Sequence, residues 1–296
     1  MNRRILLIAL LLVAGIRAGA QTPDAQTAKD TSYWKLTGIT GLNFSQAALV
    51  NWSAGGENSM ALNVYLNGSL NYARDKWAWD NTLVLEFGET YAEEYDWRKN
   101  ADKIAFTSKL GYQINKKWYY SLLGDFNSQF AKGYKYPNTD RYISTFMAPA
   151  YANVAFGIDY KPNDRFSLFM SPATAHGLFV RDDSLSRAGA FGITPGDRFR
   201  LDAGAMAKAT LKQTIMTNVD LISALDLFTP YNRGLGNVDV NWEMLFSFKI
   251  NKALTATLST TLRYYDKEHF IDGDGMEKGP RIQFKELLGL GVAYRF

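Results

Sequence analysis

Apolar and polar residues alternate along most of this chain, and two segments show the pattern clearly. Over residues 60–72 the apolar side chains share one parity, and the other parity is mostly asparagine and serine. Residues 238–250 repeat the alternation, with valine, tryptophan, methionine and phenylalanine at every second position. A period of two puts alternate side chains on opposite faces of a β-strand, whereas a helix would scatter them around its surface. The pattern therefore predicts strands with one apolar and one polar face.

The same pattern predicts about twelve strands in the chain. We expect them at 33–45, 58–72, 77–91, 103–115, 118–131, 149–160, 165–178, 199–211, 215–228, 237–250, 254–266 and 282–296. The alternation is least clean over 165–178 and 199–228. Five of the expected connections are short, including 74–76 and 212–214, and they alternate with longer ones.

This rhythm of connections indicates the fold class. Outer-membrane barrels have short periplasmic turns and long extracellular loops. Unpaired backbone groups are too costly in hydrocarbon, so a spanning sheet has to close on itself. We therefore predict an all-β fold, an antiparallel transmembrane β-barrel of about twelve strands with both termini in the periplasm. A soluble β-sandwich also alternates, but it needs neither the short–long rhythm nor aromatic belts.

The two ends of the chain favour the same compartment. Arg3 and Arg4 precede an apolar run at 5–16, and the small residues at 18–20 follow it, as in a cleaved export signal. The apolar run is shorter than the roughly 20 residues of a membrane helix. We expect a signal peptide at 1–20, a periplasmic tail at 21–32 and one outer-membrane barrel at 33–296, in a diderm bacterium. The last strand, which ends at Phe296, is typical of barrels and predicts contact with the barrel-assembly machinery.

Composition narrows the set of partners. Without the three arginines of residues 1–20, the chain has 30 basic and 29 acidic residues, a formal charge of +1. Nothing in that balance favours nucleic acid. The absence of cysteine excludes disulfides and thiolate metal sites. We expect no cofactor, and we expect outer-membrane lipid as the surroundings, with envelope proteins as further candidate partners.

Aromatic residues cluster near the expected strand ends. Aromatic belts mark both membrane interfaces of outer-membrane barrels. At the short-turn ends the expected girdle comprises Trp34, Trp77, Trp79, Trp118, Tyr160, Tyr294 and Phe296. At the other ends we assign Tyr91, Phe130, Tyr264 and Phe228 to an outer girdle.

Four segments resemble a known family. They are NWSAGGENS at 51–59, NVDVNWE at 237–243, KINK at 249–252 and IQFKELLGLGVAYRF at 282–296. In these segments the chain resembles a domain-of-unknown-function family of small outer-membrane barrels. The resemblance extends over roughly 33–296 and implies an exported barrel, with no activity, substrate or catalytic residue to carry over.

Charged residues of both signs are expected on the inward face. The candidate lumen-lining residues are Asp80, Glu86, Lys109, Asp125, Arg200, Lys208, Asp239, Glu243, Lys249 and Arg263. Opposite charges either cross-link the lumen into a plug or line a narrow aqueous passage. In a plug we expect Asp239 and Glu243 to pair with Lys249 and Arg263. The two interpretations stand level, and the near balance of charge argues against strong selection for either sign of ion.

The first long connection has a candidate constriction at Trp52, Gly55 and Gly56. An aromatic residue beside paired glycines can fold a loop inward, although an ordinary rim turn explains the same residues and is our preferred interpretation. Asp272-Gly273-Asp274-Gly275 resembles half of a calcium loop but lacks the remaining ligands, so a plain turn is preferred.

Function is the least determined property. The sequence favours a narrow passive channel for small polar solutes, with a non-conducting structural or assembly partner of an envelope complex as the alternative. An outer-membrane hydrolase would need a histidine base, and the chain offers only His176, with Ser171 nearby in sequence, and His269. We expect no enzyme, no catalytic residues and no metal site.

Overall fold

The computed structural model describes residues 33–48, 58–93, 95–233, 236–251, 254–267, 269–271 and 277–296. Twelve antiparallel strands close into one barrel. These strands are β1 Trp34–Ala47, β2 Ser59–Arg74, β3 Trp77–Ala92, β4 Tyr95–Gln113, β5 Trp118–Ser128, β8 Ala150–Asn163, β9 Phe166–Phe179, β10 Phe199–Met216, β11 Val219–Pro230, β12 Asp239–Lys249, β13 Leu254–Tyr264 and β16 Gln283–Arg295. Short strands form two further hairpins, β6 Gly133–Tyr134 with β7 Tyr142–Ser144 and β14 His269–Ile271 with β15 Glu277–Pro280. The predicted fold class and strand number are confirmed, whereas the expected signal peptide and tail lie outside the described residues.

The barrel closes where its first and last strands meet. β1 pairs with β16 from Ile39 opposite Arg295 to Phe44 opposite Leu290. Gly38 and Phe296 exchange backbone hydrogen bonds of 2.8 and 3.0 Å at the end of this ladder. The Phe296 ring lies over Gly38, where a Cβ atom would come within 2.5 Å of it. An aromatic residue packed over a strand glycine is a known way of fixing register, so the last residue holds the seam.

The outward face of the barrel is apolar. Leu288 is 73% exposed, and large apolar side chains point outward from neighbouring strands around the barrel. Water-soluble proteins rarely expose contiguous apolar patches of more than a few hundred Å². A closed sheet also leaves no unpaired strand edge, which is what hydrocarbon demands. The single closed sheet excludes the β-sandwich, and the surface is suited to lipid.

Two predicted connections are wrong. The expected long loop before the fourth strand does not exist, because β3 ends at Ala92 and β4 begins at Tyr95. The expected turn at 212–214 is strand, and the chain turns at 217–218 instead. There Asn218 has φ +68°, a left-handed conformation that asparagine tolerates, and Thr214 Oγ1 bonds Asp220 across the hairpin at 2.8 Å.

Two long connections pack together at the end of the barrel opposite the short turns, which we call the long-loop end. The β9–β10 connection contains a one-turn helix, Asp183–Arg187, and a 3-10 turn, Ala190–Gly192. Its apolar side chains form a cluster with Ala148 of the β5–β8 connection and Leu178 of β9. Within the described part of the chain, no helix has the length and apolarity needed to cross a membrane.

The barrel interior as candidate functional site

One side of the barrel interior is solid. Inward residues of β5, β8, β9, β10 and β11 form an apolar core of Leu123, Ala155, Phe169, Met206 and Phe228. Below it, toward the short turns, Lys109 contacts Asp159 at 2.7 Å, and the Asp159 side chain is fully buried. We call the interior in front of β5, β8 and β9 the filled half.

The rest of the interior surrounds a cavity of about 1100 Å³. Its walls come from β1–β4, β10–β13 and β16, with Asn127 of β5 and Arg165 of a short turn, and nothing from β8 or β9. The walls extend from Arg295 and Asp220 near the short turns to Ser45 and Gln283 at the long-loop end. We call this side the open half.

Charged side chains reach across the lumen. Lys103 of β4 pairs with Glu243 of β12, although these strands lie on opposite sides of the ring. Lys212 of β10 likewise reaches Ser69 of β2, at 3.3 Å. Between them, Lys208 lies 3.5 Å from Asp125 and 3.1 Å from Asp226. The barrel cross-section is therefore bridged by side chains at several levels.

The β9–β10 connection, residues 180–198, covers the lumen at the long-loop end, and we call it the roof. Phe191 lies between Gly189 and Gly192 with φ +60°, and it lines a smaller cavity below. Arg200 donates a hydrogen bond to the Gly192 carbonyl, and a Cβ on Gly192 would meet the Lys267 side chain at 3.1 Å. Since Lys267 follows β13, the β9–β10 connection reaches over the mouth to the open half.

Asp182 anchors this roof. It caps the short helix by accepting from the N–H groups of Ser184 and Leu185, both at 3.0 Å. It also accepts from the Tyr142 hydroxyl of the β5–β8 connection at 2.9 Å. Burial raises the pKa of Asp182, but these three hydrogen bonds together hold that pKa below its usual value.

Below the roof lies a chamber of about 180 Å³. Its floor is shared with the large cavity, and the shared residues are Asp102, Lys103, Asn127, Asp226, Asn241, Glu243 and Arg263. The Lys103–Glu243 ion pair therefore stands between the upper chamber and the large cavity. Arg263 also contacts this ion pair, since its Nη2 atom lies 4.0 Å from Glu243. Its Nε atom donates a hydrogen bond to Asn241 at 3.1 Å.

A row of aromatic rings forms one wall of the chamber. Tyr151 is stacked between Tyr265, at a centroid distance of 6.1 Å, and His176, at 5.8 Å. His176 is stacked in turn on Phe228 at 4.7 Å. Our assignment of Phe228 to an outer girdle is wrong, since its ring is buried inside the barrel. Parity could have placed this ring correctly, since Phe228 lies two residues after the inward Asp226 on the same face of β11.

Seven candidate lumen-lining residues line one or both cavities, and three do not. Glu86 lines the large cavity and accepts a hydrogen bond from Asn63 at 3.1 Å. Arg200 lines the chamber and contacts Asp202 at 3.0 Å. Asp239 also lines the chamber and accepts from the Asp266 N–H at 2.9 Å. Asp125, Lys208 and Glu243 take part in the contacts across the lumen described above, and Arg263 contacts the neighbouring strand β12. Asp80 pairs with Lys161 and Lys109 with Asp159 beside the filled half, and Lys249 is exposed at the short-turn end. Glu243 therefore pairs with Lys103, which the alternation also places on the inward face, rather than with Lys249.

The aromatic residues expected in the inner girdle lie near the short-turn end. Trp34, Trp77, Trp79, Tyr294 and Phe296 are exposed. Trp118 and Tyr160 are half-buried and stack on each other at 4.7 Å.

Two of the other candidate sites lie outside the described residues, whereas Ser171 and His176 lie within them. Trp52, Gly55 and Gly56, and the loop at 272–275, are outside them. Ser171 donates to the Phe156 carbonyl at 2.8 Å, and none of its hydrogen bonds involves His176. Among the described residues, no group of histidine, aspartate and glutamate is arranged to hold a metal ion. For Trp52 we considered an aromatic residue beside glycines that folds a loop inward. In the described residues, Phe191 beside Gly192 has this arrangement.

Comparison with known proteins supports the family resemblance over part of the chain. The family described as "Protein of unknown function (DUF3078)" matches residues 44–134, which confirms a resemblance to a domain-of-unknown-function family. No functionally curated protein matches the chain.

Solved outer-membrane barrels are similar only at a distance. An outer membrane channel from Pseudomonas putida F1 is 10% identical, with a TM-score of 0.39, over 93% of this chain and all of that one. The translocator domain of the autotransporter NalP from Neisseria meningitidis is 9% identical, with a TM-score of 0.36, over 99% and 98%. OmpT of Vibrio cholerae is 9% identical, with a TM-score of 0.30, over 92% and 100%. Likeness at this level carries no functional argument.

Proposed function

We propose that this protein is an outer-membrane barrel that lets small polar solutes pass along its open half. The observation that carries the proposal is the cavity of about 1100 Å³, whose walls include residues from both ends of the strands. Polar side chains such as Asn43, Asn63 and Asn67 contribute to these walls. Polar groups in a pore wall replace the water that a passing solute gives up.

The charges along the cavity favour weak ionic selectivity. Among the described residues, its walls hold seven basic ones, Lys103, Arg165, Lys208, Lys212, Arg263, Lys285 and Arg295, and five acidic ones, Glu86, Asp102, Asp220, Asp226 and Glu243. Several of these charges are paired, across the lumen for Lys103 with Glu243 and between neighbouring strands for Lys208 with Asp226. We expect a slight preference for anions, because a small surplus of positive charge raises the local concentration of anions.

The proposed location is the outer membrane, with the short turns in the periplasm. The apolar outward face and the closed sheet support a lipid environment. The exposed aromatic residues at the short-turn end suit a membrane interface. Contact of the last strand with the barrel-assembly machinery belongs to the same proposal.

A non-conducting structural or assembly role is the second candidate. The bridges across the lumen favour it, since Lys103–Glu243 and Lys212–Ser69 join opposite walls. In this alternative the ion pairs fix the shape of the barrel, and the outer loops contact envelope partners.

Single-channel recording separates the two candidates. The refolded chain, freed of residues 1–20 and shown to be folded by its heat-modifiable migration, is added to a planar lipid bilayer. We expect reproducible conductance steps, larger in Lys103→Ala because this change removes a side chain that crosses the lumen. Silence from folded wild-type protein and from the variant contradicts passage and favours the structural role.

A further inference from the structure

We propose that the 180 Å³ chamber below the roof is a binding site for a single sugar ring, a neutral hexose. This rests on the proposed function and names the class of solute that enters the open half. Three features of the chamber carry the proposal: its size, its aromatic wall and the pairing of its charges.

The size selects a single ring. A cavity of about 150 Å³ holds a benzene molecule. The chamber is slightly larger, at about 180 Å³, so it accommodates a six-membered ring with small substituents. A disaccharide would have to extend past the Lys103–Glu243 floor into the large cavity.

The aromatic wall offers an apolar surface beside polar groups. The side chains of Tyr151, His176, Tyr265 and Phe228 line one side, and Phe191 lies in the roof. A hexose is amphipathic in the same way, with C–H groups on the faces of its ring and hydroxyls around the edge. Binding pockets commonly combine aromatic walls with a few placed polar groups.

His176 presents a hydrogen-bond acceptor. Asn153 donates through Nδ2 to Asp125 at 2.7 Å, which fixes the orientation of its amide, because a carboxylate only accepts. Its Oδ1 atom then faces His176 Nδ1 at 2.7 Å, so Nδ1 carries the proton. In the neutral ring Nε2 is the acceptor, suited to a hydroxyl proton.

The charges favour a neutral ligand over an ion. Six of the nine charged residues in the described lining of the chamber are in ion pairs of 3.5 Å or less: Lys103 with Glu243, Arg200 with Asp202, Asp102 with Lys99, and Asp125 and Asp226 with Lys208. An ion would take one charge from its partner and leave the other unpaired, which is costly in a buried site. A hydroxyl both donates and accepts, so it can bind between a carboxylate and a basic group while the pair stays intact.

The test is binding of D-glucose to the refolded barrel in a detergent without sugar groups. Isothermal calorimetry should give saturable binding in the millimolar range, about 4 kcal/mol at 1 mM. Saturation-transfer NMR with irradiation of the aromatic protons should label the C–H protons of glucose. L-Alanine, a zwitterion of smaller size, serves as the competing probe. Failure of glucose to bind up to about 0.1 M, or preferential binding of L-alanine, overturns the proposal.

Matched variants locate the site. His176→Phe keeps a stacked ring but removes the acceptor, and it should weaken glucose binding about tenfold, the effect of one hydrogen bond. Glu243→Gln should also weaken binding, whereas Glu86→Gln, in the large cavity, should leave it unchanged. Equal effects of the two glutamine variants would place the sugar elsewhere and overturn the proposal.

Calorimetry does not depend on passage, so the two proposals fail separately. Conductance without glucose binding removes the sugar site and leaves the channel. Glucose binding in a barrel that is silent in bilayers removes the channel and leaves the site.

Discussion

The two halves of the lumen are built from the same alternating strands, yet one is solid and the other hollow. In the filled half, Leu123 and Phe169 point inward and are almost completely buried. In the open half, equivalent inward positions carry Asn63, Asn67 and Ser259, which line the large cavity. Alternation therefore determines only which side chains face inward. The size and polarity of those side chains determine whether the interior is packed.

Charged residues are used differently in the two halves. Asp159 in the filled half is fully buried and lies near both Lys109 and Lys161. In the open half Lys212 makes a single 3.3 Å contact with Ser69. We interpret the first arrangement as structural, because breaking a buried pair is strongly destabilising, and the second as part of an aqueous wall.

The largest expected difference between the halves is in stability. Phe169→Ala should lower the free energy of unfolding by about 3–5 kcal/mol, because it leaves a cavity in a packed core. Leu287→Ala is the corresponding change in the open half, and it should cost less than the roughly 2 kcal/mol at the low end for core Leu→Ala changes, since Leu287 already borders a cavity. Urea unfolding in lipid vesicles measures both. Similar losses from the two variants would show that both halves are packed.

Ion selectivity tests the role of charged side chains in the open half. Glu243→Lys replaces one negative with one positive charge in the cavity wall. We expect the anion-to-cation permeability ratio, measured from the reversal potential in a salt gradient, to rise about threefold or more. Asp164→Lys makes the same charge change at an exposed short turn and should have a much smaller effect. No difference between the variants would remove Glu243 from the path of the ions.

The smallest expected effect is on the local stability of the roof. The roof packs on residues beside the filled half and extends over the open half. Asp182→Ala removes the helix cap and the hydrogen bond from Tyr142. It should weaken the local protection of residues 184–188 by about 1 kcal/mol in hydrogen exchange. Asp183→Ala is the control, because Asp183 is exposed and does not cap the helix. Unchanged protection would mean that the apolar cluster alone holds the roof.

The sequence predicts the number of strands because lipid imposes a period of two at membrane depth. It misses the β3–β4 hairpin since the strands continue beyond the apolar band, where both faces meet water and no alternation is needed. Residues 95–102 are strand, although much of this segment is polar. The turn forms at 217–218 because Asn218 adopts the left-handed conformation that this turn requires. The prediction placed the turn at 212–214 because it did not use this preference of asparagine.

The candidate site was only partly predictable. Inward charges such as Glu243 could be identified from parity, but their partners across the lumen depend on which strands become opposite on closure. One signal for the filled half was present in the sequence. The alternation is weakest at 165–178 and 199–228, and there Phe169, Met206 and Phe228 are apolar residues on the inward face. A loss of alternation marked a packed interior there.

Thiol accessibility tests the open half most directly. The chain has no cysteine, so Ser259→Cys, in the wall of the large cavity, can be compared with Ser121→Cys, an inward position of the filled half that is 1% exposed. A charged, water-soluble methanethiosulfonate reagent is added to each variant during bilayer recording. We expect rapid modification and reduced current for Ser259→Cys, with no change for Ser121→Cys. Equal modification of both, or an inert Ser259→Cys in a conducting barrel, would contradict passage along the open half.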